Sequence, residues 1–370
     1  MSKPNTKVPI LFFIFLLLSI HVSLQFAFSK NDDFFELHIE QYYDPNDYIE
    51  NASSIESENS GSENFKTEST LDKEQIEQHG NFKNLSNFNI AVVGDWGCTK
   101  YTKKTVNSIQ NHKPELVFNL GDASYAPDLN CWIKIVEPIS NKMYSIVGNH
   151  DYISSFIFKQ YKEYTRMPDQ YYSFDYKNVH FLMMSSEISY KAGKDSTFSD
   201  VGETEQYEYV DKDLSQASKN PDIKWIIVMI HRQQYSSLCG DHDSCDPIKK
   251  LRDTYHPLFE KYGVDFLFSG HAHNYQRTYP ISYNEINPFQ PIINNNGKTE
   301  YISPEGMIQL IVGTGGIDFD GFSSHEPFIA FQQDSNFGFL NLDFQNDRNR
   351  VVGKFYSNDD EVLDEFKITK

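Results

Sequence analysis

The 370-residue sequence predicts a layered α/β (α+β) fold, and three observations predict it. Three short apolar runs each end in Gly and then an oxygen-bearing side chain: Ile90-Ala-Val-Val-Gly-Asp95, Val117-Phe-Asn-Leu-Gly-Asp122 and Tyr144-Ser-Ile-Val-Gly-Asn149. Runs so short and so uniformly apolar read as strands buried on both faces, as in parallel sheets. Segments of helical spacing fall between them, and strand–helix alternation with short connections implies a sheet layered with helices. Towards the C-terminus the pattern changes to closely spaced strands, which read as a second sheet.

Taken in order, the folded part should start near Asn87 with a strand over Asn89–Gly94. Thr102–Gln110 has helical spacing through Val106 and Ile109, and Trp132–Ile139 covers the next crossover. Tyr171–Tyr176 and Val179–Ser185 read as a hairpin joined by a Lys-Asn turn. Glu203–Ala217 reads as a helix ending before Pro221, then Lys224–Ile230 as a buried strand whose end presents His231. The helix Ile248–Tyr262 precedes the strand Val264–Ser269, whose end presents Gly270-His271-Ala272-His273. Met307–Val312, Phe337–Phe344, Val351–Ser357 and Val362–Ile368 look like a meander building the second sheet.

Composition narrows the partners. A formal charge of −19 argues against nucleic acid, whose phosphates demand a basic face. Residues 1–29 carry Lys3 and Lys7 before a long apolar run and read as a signal peptide, with an uncleaved signal anchor as the alternative. A membrane is a partner only if that segment is retained; either way the remainder faces the secretory or lysosomal lumen or the outside. Residues 30–86 are acidic and Ser-rich without helix or strand period, and read as a disordered linker or pro-segment. Residues 87–370 are left for the catalytic domain.

Four cysteines suit an oxidising compartment. Cys239 and Cys245 are close enough to suggest a loop-closing bridge, which leaves Cys98 and Cys131 to pair across the first two strand ends. Asn51-Ala-Ser and Asn84-Leu-Ser are glycosylation sequons consistent with export.

The strand-end donors, collected, are Asp95, Asp122, Asn149, His231, His271 and His273, with Tyr125 just after Asp122. Carboxylate, amide oxygen and imidazole together suit zinc, manganese or iron rather than soft thiophilic metals. The set exceeds what one tetrahedral ion needs, whereas two ions about 3.5–4 Å apart sharing a carboxylate would use it all.

The pattern resembles the calcineurin-like metallophosphoesterases and, within them, the purple acid phosphatases. The resemblance runs through Gly94-Asp95-Trp-Gly97, Gly121-Asp122-Ala-Ser-Tyr125, Gly148-Asn149-His150-Asp151, His231-Arg232 and Gly270-His271-Ala-His273-Asn-Tyr275-Gln276-Arg277. Most of that superfamily opens with Asp-x-His, but Gly97 stands in the histidine's place; Tyr125 occupies the position of the tyrosine that replaces it in purple acid phosphatases. The resemblance implies a metallophosphoesterase fold, a four-layer αββα sandwich of two mixed β-sheets. It implies a binuclear metal centre. Asp95, Tyr125 and His273 would hold Fe(III), Asn149, His231 and His271 a divalent Fe, Zn or Mn, and Asp122 would bridge them.

The implied activity is that of a secreted acid phosphatase, hydrolysing small phosphomonoesters by attack of a metal-activated hydroxide. Asp122, Asn149 and His231 carry the catalytic centre; His150 would bind phosphate or protonate the leaving oxygen, with Asp151 orienting it. Arg232 and His242 are candidate phosphate contacts, each against the plainer reading of an ion-pair residue and a solvated loop histidine. Gln276 stands where the family has Glu, and Gly313-Thr-Gly-Gly316 reads as a tight loop near the site. His112, His180, His256 and His325 read as structural or exposed. The alternatives are a phosphodiesterase acting on nucleotides or lipid headgroups, and a catalytically silent secreted binding protein.

Overall fold

The computed structural model describes residues 86–191, 197–198, 201–239, 246–322, 324–345 and 349–370. The leader expected over residues 1–29, the acidic tract up to residue 85, Asn51, Asn84, His242 and Cys245 lie outside them. Among the described residues no helix is long and apolar enough to cross a membrane.

Strands β1 (Phe88–Val93), β2 (Leu116–Asn119) and β3 (Met143–Ser145) pair in parallel, with α1 (Lys100–His112) and α2 (Asn130–Val136) in the crossovers. Helix α1 starts at a capping box, Thr99 and Thr102 each accepting from the other's backbone N–H, and ends where Lys113 turns left-handed. Helix α3 (Ser155–Thr165) follows, capped by the Ser154 hydroxyl. Then come the hairpin β4 (Tyr172–Tyr176) and β5 (Val179–Met183), helix α4 (Glu205–Ala217), β6 (Trp225–Met229), helix α5 (Asp246–Tyr262) and β7 (Phe266–Ser269). The chain closes with β8 (Tyr275–Thr278), β9 (Glu300–Ile302), β10 (Ile308–Val312), β11 (Ile329–Gln333), β12 (Gly338–Gln345), β13 (Arg350–Ser357) and β14 (Val362–Thr369).

These strands form two mixed sheets of seven, in the orders β9-β14-β13-β12-β1-β2-β3 and β11-β8-β10-β7-β6-β5-β4. Alternation along the strands builds the layers. In the second sheet Phe181, Ile227 and Phe268 join the core shared with the first sheet, while Leu182, Val228 and Leu267 pack with Val210 and Leu214 of α4 and Leu251 and Tyr255 of α5. Aromatic rings seal the two sheets: Phe118 stacks on Phe181 at 4.7 Å and Tyr275 meets Phe355 at 4.4 Å. With α1 and α2 against the first sheet, this is the expected αββα sandwich of two mixed sheets.

The C-terminal strands are divided between the sheets rather than forming one of their own. Strand β10 is buried throughout and pairs in parallel with β7 inside the second sheet. Strands β12, β13 and β14 pair antiparallel beside β1 in the first. Along β14 buried residues alternate with partly exposed ones, as an antiparallel strand with one open face allows. The ligand-bearing strands β1, β2 and β3 therefore belong to one sheet, and β6 and β7 to the other.

The edge hairpin is fastened to α4 by His180. Its imidazole lies 2.7 Å from Asp175 Oδ1 and 2.8 Å from Asp213 Oδ2 and is nearly buried. Burial alone would lower its pKa, but the hydrogen bonds to Asp175 and Asp213 outweigh it and push it up to about 9. The folded-state pKa is the raised one, so this stabilisation is full below about pH 6.5 and is lost as pH rises through about 9. His180→Gln is expected to lower the unfolding free energy by about 2 kcal/mol at pH 6 and by much less at pH 10. Urea unfolding of both proteins at the two pH values checks this; an equal deficit at both would mean that the charge on His180 contributes nothing.

A cavity of about 660 Å³ lies over the first sheet, between Asn89, His112, Asn341, Arg350, Lys354 and Lys367. None of the candidate ligands lines it.

Candidate metal centre

The candidate ligands stand at or just past the C-terminal ends of strands from both sheets, and Asp95, Asp122, Asn149 and His271 each follow a glycine. Asp95, Asp122 and His271 have positive φ angles of 58°, 52° and 68°. Side chains rarely adopt that backbone region, and it concentrates where function over-determines the fold. The glycines before them are required by close approach. A Cβ on Gly148 would collide with the Asp122 carboxylate, and one on Gly270 with that of Asp95.

The donors converge in two groups joined by Asp122. Tyr125 Oη lies 3.2 Å from Asp95 Oδ1 and 2.8 Å from His273 Nε2. Asn149 Oδ1 lies 3.1 Å from His231 Nε2 and 2.8 Å from His271 Nδ1. Between them, Asp122 Oδ2 is 3.2 Å from Tyr125 Oη and 3.4 Å from His231 Nε2. Asp122, His231 and His271 offer ligand atoms that all lie within 4.8 Å of one another.

Contacts behind the donors fix their orientation. His231 Nδ1 is 2.7 Å from the Leu120 carbonyl and His273 Nδ1 is 3.0 Å from that of Asp318, which directs each Nε2 inward. The His273 amide donates to Asp320 Oδ2 at 2.9 Å, and the His271 amide to Asp95 Oδ2 at 2.9 Å. His271 differs from its neighbours, because its Nε2 lies 3.1 Å from Arg232 Nη1.

Asp151 has a role other than the one expected. Its buried carboxylate accepts the amides of Asp122, Ala123 and Gly148 at 2.8, 2.9 and 3.0 Å, so any hold on His150 runs through the backbone. It locks two ligand loops together through backbone, which explains why a short acidic side chain follows His150. His150 itself is pinned by its amide, which donates to Asp122 Oδ1 at 2.8 Å, and its ring leans on Tyr125 at 4.2 Å. Arg232 donates through Nε and Nη2 to the Glu187 carboxylate at 2.9 and 3.1 Å, both residues being buried. Glu187 escaped sequence reasoning; its signal is a lone acid following the polar end of a buried strand, Ser185-Ser186-Glu187.

Gln276 faces away from the donors and holds the segment after His231, accepting from the Ser237 amide at 2.7 Å and donating to Ser236 Oγ at 2.8 Å. Gly313–Gly316 is a tight loop against the site, the Gly315 amide donating to the Gly94 carbonyl at 2.9 Å. Cys98 and Cys131 are joined by a disulfide, which ties the loop after Asp95 to the start of α2.

Electrostatically these donors need a cation. Burial, then the nearby Asp122 charge, raises the Asp95 carboxyl well above the usual range despite His231. Burial would raise Asp122 too, but the adjacent His231 and His150 hold it below the usual range. Burial, then the charges of Asp95 and Asp122, pushes the Tyr125 phenol far up. His231, although buried, is pushed up to about 10, chiefly by Asp122. Burial, then Arg232, holds His271 well below the ordinary histidine value. Ionising both buried carboxylates beside a phenol oxygen and an amide oxygen is favoured by positive charge among them. Divalent or trivalent ions invert this pattern, so the donor set fits a pair of metals.

Residues 88–275 match the family model described as calcineurin-like phosphoesterase. The chain is 26% identical over 260 residues to purple acid phosphatase 15 of Arabidopsis thaliana, covering 58% of this chain and 46% of that one. It is 28% identical over 298 residues to the protein of the same plant named probable inactive purple acid phosphatase 1, covering 73% and 45%. The chain thus spans about half the length of the curated relatives it matches. Its fold matches that of purple acid phosphatase PPD1 from yellow lupin (Lupinus luteus) seeds, with a TM-score of 0.63 and 23% identity, covering 77% of this chain and 54% of that one. With a family match over half its length and the donors of five strand ends gathered around Asp122, the chain belongs to the calcineurin-like phosphoesterases.

Proposed function

We propose that the protein hydrolyses small phosphomonoesters as an exported acid phosphatase of the purple type. The observation that carries this is the meeting of two complete donor groups at one shared carboxylate, Asp122. Asp95, Tyr125 and His273 would hold Fe(III), since a phenol oxygen favours a trivalent ion; Asn149, His231 and His271 would hold divalent Fe, Zn or Mn. Bound there, such a pair lowers the pKa of water and neutralises charge on a phosphoryl group.

The chain's own residues then orient the ester. The half-buried His150, its amide fixed on Asp122, would donate a proton to the departing alcohol oxygen. Asp151 keeps the Asp122 and Gly148 loops in register, so His150 and Asn149 approach from a fixed side. Arg232, whose Nη1 lies 3.1 Å from His271 Nε2, and His242 are further phosphate contacts on this reading. The apolar leader and the Cys98–Cys131 disulfide support a secretory or lysosomal lumen or the outside, with no nucleic acid as partner.

Metal analysis and a matched assay test the proposal. The purified chain should carry two equivalents of metal with an iron–phenolate colour and should cleave phenyl phosphate faster than diphenyl phosphate at the same loading. A preference for the diester supports the phosphodiesterase alternative. A metal-free, inert protein supports a silent scaffold, the state that the name of one relative suggests for that relative.

A further inference from the structure

We propose that Tyr152, Ile153 and Phe156 form an apolar lip at the metal centre that selects phosphomonoesters of apolar, above all aromatic, alcohols; this rests on the phosphatase reading above. The three side chains are 44%, 48% and 62% exposed. Single exposed apolar residues are ordinary, but three large ones within five positions are a patch in need of a partner.

Their position ties them to the site. They begin two positions after His150, with Asp151 between, and His150 is pinned to Asp122 and leans on Tyr125. Three virtual bonds separate Ile153 from His150, so their backbones lie within about 11 Å of each other. On the phosphatase reading, an aromatic ring esterified to a phosphate held at His150 would extend into that gap.

The lip is also rigid. On its N-terminal side the buried Asp151 carboxylate takes three backbone amides. On its C-terminal side the Ser154 hydroxyl caps α3 by accepting the Ile157 amide at 3.2 Å. Between these anchors the Tyr152 ring rests edge-on against Phe158 at 5.0 Å. Helix α3 buries Ile157 and Tyr161 and leaves Phe156 facing out. The segment therefore keeps apolar side chains in water at positions fixed relative to His150, the group that on the phosphatase reading faces the departing alcohol. Such a surface gains by covering an apolar group and offers nothing to the hydroxyls of a polyol, which would lose water on contact.

The test compares 2-naphthyl phosphate with glycerol 2-phosphate on the full, metal-loaded chain and on a Tyr152→Ser/Ile153→Ser/Phe156→Ser variant. The ratio of kcat/KM for naphthyl over glycerol ester should fall about tenfold or more in the variant, through KM for the naphthyl ester. A ratio within twofold of wild type overturns the lip. Where wild type turns over neither ester, calorimetric binding of the two decides. A naphthyl preference lost in the variant keeps the lip and sinks the phosphatase reading, whereas equal binding sinks the lip.

Discussion

Asp122→Asn is expected to cut phosphomonoester hydrolysis by at least about 10³-fold, roughly 4 kcal/mol of barrier, while leaving the fold intact. Asp122 joins the two groups through the donor atoms themselves, its Oδ2 lying 3.2 Å from Tyr125 Oη and 3.4 Å from His231 Nε2. An amide in its place keeps an oxygen for the His150 amide, and the backbone of residue 122 stays on Asp151. What disappears is the negative charge that two cations would share, so bound metal should fall below two equivalents. Elemental analysis and circular dichroism on the same preparation separate this from misfolding. A variant with two equivalents of metal and full activity would remove Asp122 from the mechanism.

Asp364→Ala is expected to destabilise the protein by about 3–5 kcal/mol, a drop in Tm on the order of 10 °C. Arg277, on β8 of the second sheet, donates through Nε and Nη2 to Asp364, on β14 of the first, at 2.7 and 2.8 Å. Both are buried, Tyr275 Oη adds a 2.8 Å bond to the same carboxylate, and the Phe366 ring lies 4.8 Å from the guanidinium. Truncating the acid leaves an uncompensated guanidinium between the sheets, which is costlier than removing both charges. An Arg277→Met/Asp364→Leu double variant should therefore recover most of the loss. If the single variant melts like wild type, the pair does not hold the sheets.

The family resemblance brought Arg277 to notice only as the end of the Tyr275-Gln276-Arg277 block, and no local pattern pointed to its partner 87 positions later. That contrast describes what was legible. Donors at the ends of apolar runs are local features, so Asp95, Asp122, Asn149, His231, His271 and His273 could be collected by inspection. The strands carrying them are period-two or fully buried segments, equally local. The division of the C-terminal strands between sheets depends on which edge each one finds, and that is a pairing between distant residues. Strand β8 was missed because Tyr275-Gln276-Arg277-Thr278 is polar, its Gln and Arg being satisfied by partners far along the chain. Helix α3 was missed although Ser154 is a good cap, because its aromatic residues blur the contrast between faces. Asp151 was noticed for its neighbour, yet it serves three amides.

The left-handed backbone at Asp95, Asp122 and His271 sets stability against chemistry within single residues. Glycine would occupy each place with less strain, by roughly 1 kcal/mol. Selection for a sturdier chain alone would thus erode the very side chains that gather the ions. Any effort to toughen this scaffold should therefore leave those positions alone.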